Sequence, residues 1–450
     1  MSGKRWFMML SLLTIVSLLL VACRTPATPE APATEETGDV IPAEEEITLT
    51  IWDFGGVDFQ WMDDLIIPAY QETHPNIKFE HLGVPEDDLG LKLETAIAAG
   101  EVPDLAVFVP ARLAKAGHIL ELTNLMEAAG LKTSDFCPLF ESRDMLDGKV
   151  YSLPITANWW GMMYNKDLFA AAGLPELGVD DVIDMQTWLE YAQALNKPAE
   201  DLADRVWGSN LFFPIWNSMG NELSDPFVLG SDGRQCLENA TTDDWLAAWT
   251  AMKTAWDEDL TTWSAGAMLA DIEEDMFRQG KIAMTEATMG DAVAAREGGI
   301  NVGITGQPVI GKDVTHNVGG WNVSYSILAG SEHPEEAFEF LKFLAVKGAL
   351  MLAGGSVGEA SGVPCYMPVA EEFVTAFGGD ELISQSLALL ARISPPPFTP
   401  DIWTSVDPFN EAWRVMTEDN GDIKGAVEAA AAECQEVTDG LWEQWDSLSQ

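Results

Sequence analysis

The chain has 450 residues, and 72 acidic against 24 basic side chains give it a formal net charge of −48. Such a field repels phosphate backbones and anionic lipid surfaces, which argues against nucleic-acid binding and against membrane attachment through basic residues. Hydrophobic residues make up 47% of the chain, a globular composition, and the length allows two or three domains.

The N-terminus has the pattern of an export signal. Lys4 and Arg5 precede an apolar run that ends at Ala22, and Cys23 follows directly. A cysteine at this position resembles a bacterial lipoprotein box. We expect residues 1–22 to be a lipoprotein signal peptide and Cys23 to become a lipidated N-terminus, which places the protein outside the cytoplasm, periplasmic or at the cell surface. The alternative is an uncleaved membrane helix, for which the run is at the lower limit of length.

Residues 23–46 contain almost only proline, alanine, threonine, glutamate and other small or polar residues. Such a segment cannot bury an apolar face, so the sequence predicts a disordered tether.

Four cysteines remain if Cys23 carries lipid: Cys137, Cys236, Cys365 and Cys434. Export permits disulfides, and four cysteines allow three full pairings, among which the sequence does not choose. There is no CxxC pair and no histidine-rich cluster. We therefore expect no metal site, no redox centre and no cofactor.

The first part of the body alternates strands with helices. Strands are predicted at 47–51, 77–80 and 105–109, with helices at about 61–73 and at 89–99, the latter closed by Gly100. This order is typical of an α/β domain with a mostly parallel sheet. After Tyr151 helices dominate, and the pattern predicts them at 186–196, 243–257, 270–279, 334–346 and 423–442.

Short motifs follow one another through the body. They are GEVPDL at 100–105, LAKAGHILELT at 113–123, GKVYSLP at 148–154, YNKDLF at 164–169, AGLP at 172–175, TW at 187–188, FRQGKIAM at 277–284, GGW at 319–321 and SGVP at 361–364. Together they resemble the extracellular solute-binding proteins of bacterial ABC importers, in the branch that includes maltose- and glycerol-phosphate-binding proteins. The resemblance extends over residues 47–442.

The resemblance implies a two-lobed α/β fold of the periplasmic-binding-protein class, type II-like. Each lobe would be a mixed sheet flanked by helices, and the ligand would lie in the cleft between lobes and favour closure of a hinge. We expect an N-lobe from 47–156 plus 312–356 and a C-lobe from 157–311 plus 357–450. The implied partners are a sugar or oligosaccharide, the permease subunits of the importer and, through lipid, the membrane; we expect a monomer.

Sugars present hydroxyl edges and apolar faces, so their sites need flat aromatic surfaces and planar polar side chains. Trp52, Asp53 and Phe54 follow the first strand at its carboxyl end, where open α/β sheets place ligands, and Asp58 is on the same loop. The alternative for Trp52 is packing under the turn. Maltose-binding proteins carry an acid–arginine pair where this chain has Ala111-Arg112, so Arg112 is a candidate without its acid.

Other candidates lie at the expected lobe crossings and in the second lobe. Adjacent Trp159 and Trp160 cannot both point inward from one strand, so one should face the cleft and the other the core. Trp216 with Asn217 falls where the family places an aromatic platform, and we expect this pair to be the strongest. The remaining candidates are Asn158, Glu286, Gly320, Trp321, Tyr366 and Trp403, of which Tyr366 and Trp403 could instead pack within the lobe.

The leading interpretation is a non-enzymatic carbohydrate receptor that delivers its ligand to a permease. A receptor for another solute, such as glycerol phosphate or a peptide, is an alternative. A phosphorylated ligand should require several basic groups, and Arg112 is the one basic candidate in the sequence. The third hypothesis, a carbohydrate-active enzyme, rests on carboxylates such as Asp53, Glu286 and Asp401 beside aromatic residues.

Overall fold

The computed structural model describes residues 45–54, 60–201, 204–210, 219, 221, 223–262, 273–311, 313–353, 362–419 and 421–448. The predicted signal peptide, Cys23 and nearly all of the predicted tether lie outside these residues, as do Asp58, Trp216 and Asn217. Within the described residues, no helix combines the length and the apolarity needed to cross a bilayer.

The strands form one mixed sheet and a small hairpin. They are β1 Ile47–Phe54, β2 Ile77–Val84, β3 Leu105–Val107, β4 Met145–Leu146, β5 Lys149–Val150, β6 Leu153–Asn165, β7 Met284–Ala287, β8 Val302–Thr305, β9 Gly319–Ile327 and β10 Val363–Pro364. β4 pairs with β5, and the main sheet has the order β10-β6-β9-β3-β1-β2, with β7 and β8 also paired to β6. β1 is parallel to β2 and β3, whereas β9 is antiparallel to β3 and β6. The α/β class and its parallel first part are confirmed.

Strand β6 changes its partners along its length. Its first part pairs with β9, where Asn158 is opposite Trp321 and Trp160 is opposite Gly319. From Gly161 onward it pairs with β7 and β8 instead. The strand therefore connects two regions of the sheet, and Asn158, Trp159 and Trp160 lie at the transition.

The helices surround the sheet. They are α1 Ile67–Gln71, α2 Glu86–Ala99, α3 Ala111–Lys115, α4 Thr123–Ala128, α5 Leu139–Arg143, α6 Lys166–Ala172, α7 Met185–Leu195, α8 Asp243–Asp257, α9 Glu273–Arg278, α10 Met289–Glu297, α11 Pro334–Phe343, α12 Ala349–Ala353, α13 Ala370–Ala376, α14 Glu381–Leu390, α15 Ile402–Val406, α16 Pro408–Thr417 and α17 Ile423–Ser447. Local signals fix several ends: Gly100 closes α2 with a φ of 74°, and the Asp184 carboxylate accepts a hydrogen bond from the N–H of Thr187 at the start of α7.

Strand β3 is shorter than predicted, ending at Val107 rather than at residue 109. Phe108 has a φ of +46°, in the left-handed region that residues with a Cβ seldom adopt. Pro110 then has no N–H to donate to a neighbouring strand. The chain consequently turns away from the sheet immediately after β3, and 38% of the Phe108 surface is exposed.

The buried residues form two hydrophobic clusters. The larger surrounds β1, β3, β9 and the first part of β6 and includes Trp159 and Trp207; the other lies around α7, α8, α16 and α17 and includes Trp188, Trp245 and Trp249. These five tryptophans are nearly inaccessible to solvent. Much of the tryptophan content of the chain thus serves packing.

The four cysteines are paired as Cys137–Cys365 and Cys236–Cys434. The Cα atoms are 4.8 Å and 6.0 Å apart respectively, within the range for disulfides. The structure thereby selects one of the three pairings that the sequence leaves open. Each bond joins residues about two hundred positions apart in the chain.

Candidate functional site

A cavity of about 370 Å³ lies between the loop after β3 and a proline-rich loop at 396–401. Its lining includes Pro110, Ala111 and Arg112 from the first of these segments, and Phe398, Asp401 and Trp403 from the second or directly after it. Trp403 has 44% of its surface exposed, so an apolar ring face is available to a ligand. The volume lies in the range of about 300–1,000 Å³ that is usual for small-molecule sites. We call this space the larger cavity.

A second cavity, of about 140 Å³, adjoins it and shares Arg143 with it. Phe108, Trp321 and the polar side chains of Asp144, Ser152 and Asn322 line this smaller cavity. Since Arg143 is common to both walls, the two cavities are neighbours, and we call them together the candidate cleft, near the carboxyl end of β3. Ligands of open α/β sheets bind at such an edge.

The carboxyl group of Asp144 forms the polar wall of the smaller cavity. It accepts hydrogen bonds from Ser152 Oγ and Asn322 Nδ2, each at 2.5 Å, although the residue is only 2% exposed. Burial raises the pKa of Asp144 to about 7, against the lowering effect of hydrogen bonds from Ser152, Ser324 and Asn322. The group therefore exchanges a proton near neutral pH within the candidate cleft.

Two arginines line the cleft, and they differ in their hydrogen-bond partners. Arg112 donates from Nε and Nη2 to Glu94 Oε1, at 3.0 and 2.8 Å, so its charge is already paired. Arg143, at the end of α5, donates from Nη2 to the carbonyl oxygen of Gly320 at 3.4 Å. Among the described residues it forms no ion pair with a carboxylate. Arg143 is thus the cation of the cleft that can offer donors to a ligand.

Trp160, Trp321 and Glu286 form a half-buried group beside the smaller cavity. The Trp160 indole N–H donates to Glu286 Oε2 at 3.0 Å, and the two indole rings meet edge to face with centroids 5.4 Å apart. Trp321 also lines the smaller cavity. Three of the predicted site residues are therefore brought together, and Trp160, rather than Trp159, is the member of the tryptophan pair on this side.

An aromatic stack connects β1 to the cleft. The rings of Phe54 and Phe108 are nearly parallel, at 11°, with centroids 5.1 Å apart. Phe54 ends β1 and Phe108 follows β3, so the stack spans the carboxyl ends of two adjacent parallel strands. Phe54 is hence placed behind a wall residue of the smaller cavity.

Asp53 lies in a buried ionic network rather than on a cavity wall. Its Oδ2 accepts a hydrogen bond from the Tyr325 hydroxyl at 2.9 Å, and its Oδ1 is 2.8 Å from His81 Nε2. His81 Nδ1 is in turn 3.0 Å from Asp63 Oδ2. Burial raises the pKa of Asp53, while His81 and Tyr325 oppose the rise. The network fixes the end of β1, directly before Phe54.

His81 should make stability depend on pH. Burial lowers its pKa, but hydrogen bonds and charge from Asp53 and Asp63 dominate and raise it to about 8, from 6.5. The stabilisation of the folded state by protonated His81 is therefore complete below about pH 6.5. It is lost as the pH rises through 8, by about 2 kcal/mol in all. Urea unfolding of the wild type and of His81→Gln between about pH 6 and 9 checks this. Parallel profiles for the two proteins would contradict it.

The structure places the other predicted residues as follows. Trp52 is half-buried with Lys92 Nζ 4.8 Å from its ring centroid. Trp159 is fully buried and Asn158 is 2% exposed. Tyr366 packs against Phe136, with ring centroids 5.4 Å apart, beside the Cys137–Cys365 disulfide.

Gly320 is closely surrounded by neighbouring atoms. A Cβ at this position would lie 2.5 Å from the Asn158 carbonyl oxygen and 2.5 Å from Ile393 Cδ1, so a glycine is required for the strands to approach. Its backbone N–H donates to Asn221 Oδ1 at 3.2 Å. The glycine allows β9 and β6 to pair closely next to Trp321.

Several residues of the cleft are absent from the sequence-based prediction: Phe108, Arg143, Asp144, Ser152, Asn322 and Phe398. One available signal was the adjacent Arg143-Asp144 pair shortly before the GKVYSLP motif at 148–154. The described residues contain no group of three or more histidine, cysteine or acidic side chains arranged to hold a metal ion.

Comparisons with known proteins place this geometry in context. A family model described as bacterial extracellular solute-binding protein matches residues 56–351. A binding protein of Brucella abortus is 26% identical over 317 residues, which cover 67% of this chain and 72% of the relative.

Two solved structures share the fold. An ABC substrate-binding protein of Listeria monocytogenes in complex with cycloalternan is similar with a TM-score of 0.68 and 17% identity, over 87% of this chain and 99% of that one. The sugar-binding protein MalE of Xanthomonas citri has a TM-score of 0.71 and 15% identity, over 90% of this chain and all of its own.

Proposed function

The chain belongs to the bacterial extracellular solute-binding protein family, and on this premise we propose that it is the ligand-binding component of an ABC importer, with a sugar or oligosaccharide as ligand. The observation that carries the proposal is the larger cavity, whose lining combines the exposed indole of Trp403 with the planar guanidinium groups of Arg112 and Arg143. A pyranose has apolar C–H faces that suit an aromatic surface and hydroxyl edges that suit guanidinium and amide groups.

The fold relatives support this choice of ligand. The Listeria monocytogenes protein was solved in complex with cycloalternan, and the Xanthomonas citri protein is a sugar-binding protein. A non-enzymatic role agrees with the family description, because its members are named for binding. Incubation of the purified protein with oligosaccharides, followed by product analysis, should show no turnover; cleavage products would contradict the receptor role.

We further propose that two lobes, 47–156 plus 312–356 and 157–311 plus 357–450, close on the ligand about a hinge. The two loops that face each other across the larger cavity belong to different members of this pair, since Arg112 lies in the first and Trp403 in the second. A ligand that contacts both loops favours the closed arrangement by its extra contacts there.

Cys23, as a lipidated N-terminus, would hold a monomeric receptor beside its permease, with residues 23–46 as the tether. A strongly acidic protein is held at the membrane by such a covalent anchor, because its net charge of −48 offers no attraction to anionic lipid. Mass spectrometry of the native protein should find a diacylglyceryl group on Cys23.

A thermal-shift screen across neutral and charged mono- and oligosaccharides tests the function. A ligand that binds only the folded protein stabilises it by RT ln(1 + [L]/Kd), about 2.7 kcal/mol at a hundredfold excess over Kd. At least one carbohydrate should raise the melting temperature. If sugars leave it unchanged while a peptide or another solute raises it, the carbohydrate part of the proposal is wrong.

Trp403→Ala should weaken binding of any carbohydrate that raises the melting temperature, by about tenfold or more, since it removes the exposed stacking surface of the larger cavity. The melting temperature without ligand should stay nearly unchanged because 44% of the residue is already exposed. Calorimetric titration measures the Kd.

The matched control is Trp256→Ala, which removes a half-buried indole whose ring centroid is 5.7 Å from that of Trp413 and which lines neither cavity. It should lower the melting temperature without ligand and leave the Kd unchanged. If Trp403→Ala leaves the Kd unchanged and Trp256→Ala raises it, the ligand does not bind in the larger cavity.

A further inference from the structure

The charge balance of the candidate cleft differs from that of the molecule. The whole chain has three acidic residues for each basic one, 72 against 24. The described residues that line the larger cavity instead include two arginines, Arg112 and Arg143, and one acidic residue, Asp401. The Asp401 carboxylate already caps α15, accepting from the Thr404 N–H at 3.0 Å and from Thr404 Oγ1 at 2.7 Å. The described lining of the larger cavity is therefore much less acidic than the chain as a whole.

Arg143 is unusual among the described arginines in its partner. Ion pairs at 4.0 Å or less are formed by Arg112, Arg205, Arg296, Arg392 and Arg414, whereas Arg234 lies over the ring of Trp442. Among the described residues, Arg143 donates to the Gly320 carbonyl oxygen at 3.4 Å and forms no ion pair with a carboxylate, although it lines both cavities. Its remaining N–H donors have no carboxylate partner in the described part of the chain, so they can be offered to a ligand.

The carboxyl group of Asp144, next to Arg143 in the chain, does not fully neutralise the charge of Arg143. The neighbouring Asp144 carboxyl is occupied by Ser152 and Asn322. Burial also raises the pKa of Asp144 to about 7, so that a fraction of the Asp144 carboxyl groups is uncharged near neutral pH. A planar guanidinium in this position presents the fork geometry that binds two oxygens of a carboxylate at once.

We propose that the cleft selects a carbohydrate that carries a carboxylate, such as an oligouronide, and that Arg143 binds this carboxylate while Trp403 contacts the sugar ring. The inference rests on the proposed sugar-binding function. A phosphorylated sugar fits less well, because a phosphate brings a charge of about −1.5 to −2 and Arg112 is already paired with Glu94. A single negative charge matches the single available arginine.

The test compares three sets of probes by calorimetric titration of the purified protein: uronic-acid disaccharides of several linkages, the neutral hexose disaccharides of the same linkages, and hexose phosphates. We expect the tightest binding for a uronide. Its Kd should rise with added salt, because screening weakens a charge contact at a solvent-accessible cleft, whereas the Kd of a neutral sugar should not.

Arg143→Gln should weaken uronide binding by roughly 10- to 100-fold and leave binding of neutral disaccharides within about twofold. Arg143→Lys retains the charge without the fork and should weaken uronide binding by about tenfold, which keeps the test informative if the glutamine variant folds poorly. Arg414→Gln removes the same charge from an arginine on α16 that is paired with Glu411, Glu418 and Asp419, and it should change neither affinity.

The outcomes separate this inference from the proposed function. Binding of neutral sugars without tighter uronide binding would overturn the carboxylate specificity and leave the sugar receptor intact. Absence of binding by all carbohydrates would overturn both. If a hexose phosphate binds more tightly than a uronide and Arg143→Gln abolishes this binding, Arg143 binds a phosphate rather than a carboxylate.

Discussion

Replacement of both Cys137 and Cys365 by serine should lower the free energy of unfolding by about 5 kcal/mol on the chain-entropy relation, for a ring that spans 228 positions. The bond restricts the unfolded chain far more than the folded one, where the two residues already meet. The Cys137 N–H donates to the Cys365 carbonyl oxygen at 2.7 Å, and both side chains are buried. Guanidinium unfolding of the oxidised wild type and of the variant measures the difference.

The second disulfide provides the matched control. Cys236 and Cys434 are 198 positions apart, so the same relation predicts a similar loss of stability for their double serine variant. The two variants should differ in binding, because Cys137 lies just before α5, which ends at Arg143. Only the first should weaken ligand binding. Free thiols at Cys137, Cys365, Cys236 or Cys434 in the denatured, unreduced wild type, located by alkylation and peptide mapping, would contradict the pairing.

Asp144→Asn should remove a large pH dependence of stability. The carboxyl has a pKa of about 7 in the folded protein, against 3.8 for an ordinary aspartate. Between these values the folded state keeps a proton that the unfolded state has released, so the free energy of unfolding falls as the pH rises. The total fall is about 4 kcal/mol at full effect. It is complete slightly above pH 7 and is absent below about pH 4.

The measurement is the difference in unfolding free energy between Asp144→Asn and the wild type at several pH values from about 4 to 8. At acidic pH the variant should be the less stable protein, because it has lost one hydrogen-bond acceptor. As the pH rises, the difference in unfolding free energy should shift in favour of the variant, whatever its value at acidic pH. Asp401→Asn removes an exposed carboxylate from the larger cavity and controls for the lost charge. A difference that is constant with pH for Asp144→Asn would contradict the prediction.

Local patterns were sufficient for much of the fold. The helix predicted at 243–257 has those bounds in the structure, and Gly100 ends α2 as expected, because propensity and capping act over a few neighbouring residues. Strand β3 was predicted two residues too long because Val109 continues an apolar run. The left-handed φ of Phe108 depends on its surroundings in the folded protein, and the apolar run in the sequence does not indicate it.

The site was harder to predict because its contacts join distant parts of the chain. Asp53 meets Tyr325, 272 positions away, and Asp144 meets Asn322, 178 positions away. No short-range pattern encodes either contact. Sequence alternation did establish that Trp159 and Trp160 point to opposite sides, but only the pairing of β6 determines which one is buried. The roles of the predicted site residues in binding stay predictions.

The two disulfides overlap along the chain, since one spans 137–365 and the other 236–434. A single peptide-bond cut anywhere between Cys137 and Cys434 falls inside at least one of these spans, and a cut between Cys236 and Cys365 falls inside both. A protease that nicks the chain once there leaves two fragments that remain covalently joined. For a protein that works outside the cytoplasm, this arrangement retains the second half of the receptor after damage that would release it from a chain without cross-links.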